Sequence, residues 1–421
     1  MKEIAYTPKN LRRAPKHKDI IKISEFKTSE SLDNACKASL YKLNQGKIWD
    51  GAVKSISINN KSAYIILEPT SILVHNTLAK NIQKIYDIKF SHRDLIVRLL
   101  ISHLNDSHQF IVHRLDIKSF YESFKTKEII NKLKGDGILS NVSIDLLSSL
   151  LSSIENGNLV GLPRGVGISS TLSELMMHDF DHAIKSNNDV LFYNRFVDDI
   201  IIISTPKLTK NNLTILIQDS KLPLGLEFHT KGDKVAFRQI SKTSTSNNKI
   251  SSFDFLGYTF KISTTDRTLG DTLLTERRVV DVTISNGKIK RIKDRVIKSF
   301  CSFISSKQPY DIKYALLRKR ILFLTRNYTL TKSQHPVKTF SGIYFNYKYI
   351  TDTAQLKELD AFLASILLSS HSNLSRRTHR VIGYRERLAL SKISFLDGFT
   401  NKKFCKFSYK DLKEIKSIWN Y

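Results

Sequence analysis

The sequence predicts an α+β protein in which an antiparallel sheet carries acidic residues and a helical region follows it. Two observations indicate the sheet. An apolar, strand-forming run from residue 111 ends near Asp116, and two further runs within 193–203 are separated by Asp198 and Asp199. A third observation indicates the helices, since apolar residues recur three to four positions apart in the last third of the chain.

The acidic residues of the sheet predict a cation site. Asp198 and Asp199 interrupt apolar runs, where uncompensated charge is costly. Such a pair alone is weak evidence, because most Asp-Asp pairs cap turns in solvent. If the strand that ends at Asp116 lies beside this hairpin, the carboxylates could hold two Mg²⁺ ions about 4 Å apart. That arrangement suits in-line phosphoryl transfer.

A glycine- and proline-containing loop lies between the two acidic segments. Residues 161–167 form this loop, and helical spacing of apolar residues follows it, with Thr171 and Glu174 as a predicted capping box. A flexible loop at a helix start can hold a template and an incoming base. The alternative is an ordinary loop and core helix.

Two further segments follow the acidic hairpin. The stretch 224–234 is predicted to end a helix and open a strand, with lysines at 231 and 234. The stretch 253–260 alternates around Gly257, which is typical of a bent hairpin strand. Each of these segments also has an ordinary structural explanation.

Taken in order, these segments resemble the palm of reverse transcriptases. The resemblance covers roughly residues 90 to 262 and implies a right-hand polymerase with fingers, palm and a helical thumb. Its motifs are Asp-x-x-x-aromatic-aromatic at 116–121, Leu-Pro-x-Gly at 162–165, aromatic-x-Asp-Asp at 196–199, Gly-Leu…Lys at 225–234 and Phe-Leu-Gly-Tyr at 255–258.

The resemblance implies roles for the acidic residues as catalytic metal ligands. Asp116 and Asp198 would bridge two Mg²⁺ ions, with Mn²⁺ as a possible substitute. Asp199 would be an adjacent and weaker ligand, and the backbone carbonyl of Ile117 would help to hold the ion of the nucleotide.

Nucleotide binding is implied for residues around these ligands. Tyr121, which follows Phe120, falls where the family has the steric gate against a ribose 2′-hydroxyl, so deoxynucleotides should be preferred. The alternative is a buried palm aromatic. Arg164 and Gly165 of the loop would handle the nucleotide, although Arg164 replaces the usual glutamine and Ser170 a common proline.

Cations that grip the triphosphate are harder to assign. Lys231 or Lys234 would act near the leaving pyrophosphate, and the motif does not choose between them. The fingers candidates are Arg93, Arg98 and Arg114. For each arginine the alternative is a solvated side chain or a contact to a backbone phosphate.

The charge of the chain predicts a polyanionic partner. The 67 Lys and Arg residues against 39 Asp and Glu residues give a formal charge of +28. A generally basic proteome is the alternative. Within 288–298 the apolar residues face a core, which would leave Lys288, Lys290, Arg291 and Lys293 to lie along a nucleic-acid backbone. A solvated helix face is the ordinary explanation.

The resemblance implies a second nucleic-acid contact in the Phe-Leu-Gly-Tyr motif. Its four residues are Phe255, Leu256, Gly257 and Tyr258.

The cysteines and hydropathy predict a cytoplasmic, soluble protein. Cys36, Cys301 and Cys405 are far apart and odd in number, so neither a disulfide framework nor a zinc site is implied. No apolar run approaches the roughly 20 residues that span a bilayer, so we expect no membrane partner.

The sequence divides into three predicted regions. Residues 1–85 would form an N-terminal extension and part of the fingers, 86–262 the fingers and palm, and 263–421 a helical, basic thumb and C-terminal extension. The last region has no acidic constellation of the kind that a ribonuclease H or integrase domain needs, so we expect a single active site.

The chain is most similar to bacterial defence-associated reverse transcriptases of the retron and abortive-infection group, and within them to the first subunit of a type 3 system. This implies antiphage defence, a structured non-coding RNA, DNA made from dNTPs and a second reverse transcriptase as companion. Three alternatives remain: template-independent or protein-primed DNA synthesis, a non-catalytic RNA-binding scaffold, and an RNA-dependent RNA polymerase that the bulk of Tyr121 disfavours.

Overall fold

The computed structural model describes residues 2–58, 61–155, 161–230, 232, 234–240, 251–269, 272–329 and 339–419. Helices and antiparallel sheets alternate along it, which confirms the predicted α+β class. The chain forms two compact units, Met1–Ile96 with Gln109–Ile240, and Val97–His108 with Ser241–Tyr421. The boundaries predicted at residues 85 and 262, and the names fingers, palm and thumb, stay predictions.

The first unit contains the acidic sheet and the helices around it. Its elements in chain order are α1 (Pro8–Leu11), α2 (His17–Lys22), the 3₁₀ turn Ser24–Phe26, α3 (Ser29–Asn44), β1 (Val53–Ile58), β2 (Lys61–Ile66), α4 (Pro69–Ile85), the start of α5 (Arg93–Leu104), β3 (Phe110–Asp116), α6 (Phe120–Ser123), α7 (Thr126–Asp136), α8 (Asn141–Glu155), α9 (Ile168–Lys185), β4 (Val190–Phe196), β5 (Asp199–Ser204), α10 (Lys210–Asp219) and β6 (Ala236–Ile240).

A four-stranded sheet in the order β4-β5-β3-β6 is the centre of this unit, and its neighbours pair antiparallel. The isoleucine run 200–203 lies in β5, a central strand between β4 and β3, and all four of its side chains are buried, so both faces of the sheet are covered there. β-branched residues favour such a fully covered strand. In this register Asp116 lies directly opposite Asp199.

Helix α9 covers the sheet and packs against β4 and α4. Its buried residues Leu172, Leu175, Phe180 and Ile184 keep the predicted helical spacing. The helix begins at Ile168 after Gly167, one turn earlier than predicted. The capping box predicted at Thr171 is therefore wrong, because that residue already lies inside the helix, where its hydroxyl accepts a hydrogen bond from the Gln83 amide.

The second unit is a three-stranded antiparallel sheet followed by helices. Its elements are the remainder of α5, β7 (Ser251–Phe255), β8 (Tyr258–Leu269), β9 (Thr272–Ile284), α11 (Asn286–Ser305), α12 (Tyr310–Thr325), β10 (Asn327–Thr329), β11 (Phe340–Gly342), α13 (Ile343–Tyr347), α14 (Ala354–Leu368), α15 (Asn373–Val381), α16 (Tyr384–Ser391), α17 (Phe395–Thr400) and α18 (Tyr409–Lys416).

The helical part of this unit has its own core. Helix α11 buries Ile289, Ile292, Val296 and Phe300 among the side chains of the later helices. The predicted amphipathic helix is thus present. Among the described helices of the chain, none is long and apolar enough to cross a membrane.

Candidate active site

Three carboxylates lie at one edge of the four-stranded sheet. Asp116 is the last residue of β3, Asp199 is the first residue of β5, and Asp198 occupies the turn before it. The amide of Ile117 donates a hydrogen bond of 3.1 Å to the carbonyl of Asp198, which ties the end of β3 to the turn. The sheet register therefore brings the two predicted acidic segments together.

The turn that presents Asp198 is strained. Val197 has a φ of +61°, in the left-handed region that β-branched residues rarely adopt. The two-residue turn joins β4 to β5, whose facing residues Phe196 and Asp199 are paired. Such strain persists only where surrounding contacts over-determine the backbone, and it is frequent at functional sites.

Basic side chains partly compensate the carboxylates. The Lys234 Nζ lies 2.7 Å from the Asp116 Oδ1, and the His229 Nε2 lies 3.2 Å from the same oxygen. The Arg114 Nη2 lies 3.2 Å from the Asp199 Oδ1. Asp198 is the carboxylate with the least compensation. Burial, and then the charges of the two neighbouring carboxylates, raise the pKa of Asp198 above its usual range.

The donor set suits a hard divalent cation. In the described part of the chain, no group of three or more His, Cys, Asp and Glu is close enough to form a ready metal cage. Nevertheless, three carboxylates share one sheet edge, and burial together with the charges of Asp199 and Asp116 raises the pKa of Asp198, so a bound cation would be favoured there. Ile117 directly follows Asp116 at the end of β3, so its carbonyl remains the predicted further oxygen ligand.

The predicted gate residue lies beside this cluster. Phe120 is buried, and its ring packs edge-on against Tyr121, with centroids 5.3 Å apart. Tyr121 is half-buried, and its pKa is raised first by burial and then by the charges of Glu174 and Asp198. The two aromatics therefore differ in role: Phe120 belongs to the core and supports Tyr121, which lies within electrostatic reach of Asp198.

The glycine-containing loop packs against the gate residue. Arg164 forms a two-pronged ion pair with Glu122 and lies over the Tyr121 ring, 5.7 Å from its centroid. Gly165 has a φ of +88°, and a Cβ there would lie 2.6 Å from the Tyr64 carbonyl oxygen, so only glycine fits. The loop therefore presents the guanidinium of Arg164 at a defined place.

The predicted triphosphate-binding cations of the first unit have different outcomes. Lys231 lies outside the described residues. Lys234 is the member of the lysine pair that contacts Asp116, and its side chain is 52% exposed, which leaves it free to exchange partners. Arg93 is half-buried as the first residue of α5, and its role stays a prediction.

The Phe-Leu-Gly-Tyr motif forms the turn between β7 and β8. Phe255 and Tyr258 are paired across the hairpin and buried, and the Tyr258 hydroxyl donates to the Asn346 carbonyl. Leu256 and Gly257 have φ of +47° and +84°, as in a type I′ turn. Within this motif, only the turn offers surface to a nucleic acid, because the two rings belong to the core.

The basic residues predicted on α11 lie away from its buried stripe. Lys290 and Arg291 are exposed, and Lys288 is half-buried. Lys293 pairs with Glu358 of α14. This face remains a candidate surface for a phosphate backbone, although Lys293 is already engaged within the protein.

One residue of the site was missed by the sequence reasoning. Arg195 of β4 is 4% exposed, and its guanidinium binds Glu174 and Asp181 of α9, at 2.6 and 2.8 Å, and the Val197 carbonyl at 3.1 Å. Burial alone would lower the pKa of Arg195, but the two carboxylates outweigh it and raise the pKa. Arg195 thus connects the covering helix to the strained turn that presents Asp198.

An antiparallel sheet with carboxylates at a hairpin turn is the arrangement that the sequence motifs predict for a polymerase palm. Residues 66–260 match the protein-family model described as reverse transcriptase (RNA-dependent DNA polymerase). This match supports the coarser part of the resemblance predicted from the motifs, a reverse transcriptase domain over this stretch.

Comparisons with whole proteins give distant matches. The structure of telomerase from Candida albicans in complex with a TWJ fragment of telomeric RNA matches at 14% identity and a TM-score of 0.33, over 91% of this chain and 68% of that chain. Apo telomerase from Candida tropicalis matches at 13% identity and a TM-score of 0.30, over 92% and 56%. No curated protein matches the sequence.

Proposed function

We propose that this protein is an RNA-directed DNA polymerase that adds dNTPs to a primer 3′ end, with Asp116, Asp198 and Asp199 as its catalytic carboxylates. The reverse transcriptase domain supports this activity in general. The observation that carries the assignment of residues is the sheet register, in which Asp116 faces Asp199 beside the turn of Asp198. Three carboxylates with an undercompensated charge are a suitable site for two divalent ions, Mg²⁺ or Mn²⁺.

The chain's own residues would position the reactants. When bound, the ions would activate the primer 3′-hydroxyl and neutralise charge that develops on the triphosphate. The carboxylates and the Ile117 carbonyl would hold them. Lys234, whose ammonium contacts Asp116, would neutralise part of the charge on the leaving pyrophosphate. Tyr121 and the Arg164 guanidinium would border the sugar and base of the incoming nucleotide.

The proposed partners follow from charge and motif resemblance. A formal charge of +28 favours long polyanions, and we assign the template to a structured non-coding RNA copied into DNA in the cytoplasm. The resemblance to defence-associated enzymes supports a role in antiphage defence and a second reverse transcriptase as companion. These assignments rest on the motifs and the overall charge.

The test is to purify the protein with the nucleic acid it retains, sequence that nucleic acid, and add Mg²⁺ and labelled dNTPs. We expect a specific RNA and a DNA product complementary to it. Asp198→Asn is the matched inactive variant, and it should make no product. Product without a complementary RNA would instead indicate template-independent or protein-primed synthesis. RNA retention with no product, even after addition of the companion, would favour the scaffold.

Tyr121→Ala is expected to increase ribonucleotide incorporation. Removal of the ring opens space beside Asp198 and Arg164, where a ribose 2′-hydroxyl would otherwise meet the aromatic edge. We expect the preference for dNTPs over NTPs to fall about tenfold or more, an effect of about 1.4 kcal/mol. Steady-state kcat/KM for matched dNTP and NTP pairs measures it. Tyr121→Phe keeps the ring and should keep the preference; an unchanged ratio in the alanine variant would contradict the gate assignment.

A further inference from the structure

A cavity in the second unit combines aromatic walls with two unpaired cations. Its volume is about 300 Å³. Its lining comes from α11, α12, β10, α13 and the C-terminal segment that includes α18, so it is formed by parts of the chain that are far apart in sequence. The lining includes two cations and four aromatic residues: Arg295, Lys416, Phe323, Tyr328, Tyr347 and Trp419.

The two cations of this cavity have no acidic partner. In the described part of the chain, no carboxylate lies within ion-pair distance of Arg295 or Lys416, and none of the lining residues is acidic. Burial lowers the pKa of both groups, and the charge of Arg295 lowers that of Lys416 further. Two like charges held together at a half-buried position are destabilising unless an anion joins them.

Aromatic rings form the wall around these cations. Phe323 stacks on Tyr328 with centroids 4.7 Å apart and lies 5.6 Å from Trp419. Arg295 lies over the Trp419 ring at 5.4 Å, and Lys416 lies over the Phe323 ring at 5.4 Å. The rings of Phe323, Tyr328 and Trp419 are themselves buried, so the cavity presents to a ligand the two cations and the half-buried ring of Tyr347.

We propose that this cavity binds a nucleoside phosphate. A guanidinium beside an ammonium matches the charge and acceptor geometry of a phosphate group. Tyr347, whose ring is half-buried at the cavity wall, offers a nucleobase a stacking contact of the kind that is worth about 1–3 kcal/mol in proteins that bind single strands. The cavity volume of about 300 Å³ lies at the lower end of the range for small-ligand sites, which suits one nucleotide.

The phosphate can come from a free nucleotide or from the 5′ end of a strand. The chemistry that recognises it is the same, because each source joins a phosphate monoester to a base. Since all residues that line the cavity belong to the second unit, binding does not require the carboxylates of the proposed polymerase site. Failure of the proposed polymerase activity would therefore leave this inference intact.

The experiment is calorimetric titration of full-length Asp198→Asn protein with AMP, and separately with a short oligonucleotide that carries a 5′-phosphate or a 5′-hydroxyl. EDTA is present, so that metal-dependent binding at the polymerase site does not contribute. We expect Arg295→Gln/Lys416→Gln to weaken binding of the preferred ligand about tenfold or more, equivalent to about 1.4 kcal/mol. The matched control is Lys410→Gln/Lys413→Gln on the exposed side of α18, which removes the same charge and should bind normally.

The titrations with AMP and with the two oligonucleotides distinguish a free nucleotide from a strand end. AMP binding with no effect of the 5′-phosphate on the oligonucleotide would assign a free nucleotide, whereas tighter binding of the phosphorylated oligonucleotide would assign a strand end. Binding of inorganic phosphate as tight as that of AMP would overturn the role of the aromatic wall. Equal binding by the cavity and control variants, or no binding of any ligand, would overturn the proposal.

Protein stability gives a second readout. Because the two cations repel each other, Lys416→Gln alone should keep or raise the Tm, and AMP should raise the Tm of the parent protein but not of that variant. This single variant also keeps the test valid if the double variant folds poorly. A parent Tm that is unaffected by millimolar AMP would contradict binding.

Discussion

Arg195→Met is expected to impair both folding and DNA synthesis. Arg195 forms ion pairs with two largely buried carboxylates, since the side chains of Glu174 and Asp181 are 19% and 18% exposed. Removal of one partner from such a cluster leaves charge uncompensated, which costs about 3–5 kcal/mol in buried pairs. Chemical denaturation of the purified variant measures this loss.

The same substitution is also expected to loosen the catalytic turn. Arg195 donates a hydrogen bond of 3.1 Å to the Val197 carbonyl, within the turn that places Asp198. The left-handed conformation of Val197 is stable only while such contacts hold it. We therefore expect a lower kcat and a higher Mg²⁺ requirement, with less change in the KM for dNTPs, because the contacts of Arg195 are with α9 and the turn.

Two further variants separate positioning from stability. Arg195→Met combined with Glu174→Gln and Asp181→Asn removes the uncompensated charges, so much of the stability should return while the turn still lacks its donor. Arg195→Lys keeps the charge but not the forked geometry, and it should fold with partial activity. If the triple variant regains full activity along with stability, Arg195 has only a structural role.

Strands β3 and β5 were predictable because apolar runs broken by carboxylates are unusual. The run 200–203 has no polar residue, and burial on both faces explains it. The register that places Asp116 opposite Asp199 was not predictable from either strand alone, because it depends on which strands become neighbours. The motif order supplied that information only through resemblance.

Arg195 was missed because its partners are distant in sequence. An arginine within a strand is ordinarily a solvated side chain on the outer face. A signal was present, however: Glu174 and Asp181 are seven residues apart, so they share one face of a helix that is otherwise apolar on the buried side. Arg195 is the single charged residue of β4, and it is their natural counter-ion.

For Phe255 and Tyr258 the sequence predicted a surface contact, whereas the structure buries both side chains. The motif implied contact with nucleic acid for all four residues, but the two rings face the core as a cross-strand pair. Likewise, Tyr347 and Trp419 lie in separate stretches of the sequence, and neither stretch predicts that the two rings line one cavity. The shared cavity with Arg295 depends on tertiary packing.

Asp198→Asn is expected to abolish DNA synthesis while raising stability in the absence of divalent metal. The amide is similar in size to the carboxylate, so packing is kept while repulsion from Asp116 and Asp199 is relieved. We expect at least about a thousandfold loss of synthesis, equivalent to about 4 kcal/mol of transition-state stabilisation. Primer extension measures the loss, and thermal unfolding in EDTA measures the gain in Tm.

The stability gain from Asp198→Asn is expected to depend on pH. The folded-state pKa of Asp198 is raised, so the folded protein retains this proton to higher pH than the unfolded chain does. The parent protein therefore loses stability as pH rises from the unfolded-state pKa of about 3.9 through the raised value. The gain from Asp198→Asn should thus be full at neutral pH and vanish in acid. Asp219→Asn, at the exposed end of α10, is the matched control and should show no such difference.

Added Mg²⁺ should then reverse the order of stability. An ion that binds the folded carboxylates stabilises the parent protein in proportion to the logarithm of its concentration, and the amide variant lacks one of the ligands. We expect the Tm of the parent to rise with Mg²⁺ toward or above that of Asp198→Asn, whose Tm should respond weakly. Equal responses of the two proteins would show that Asp198 does not hold the ion, even if the variant is inactive. The catalytic assignment therefore has a test that does not depend on knowing the template.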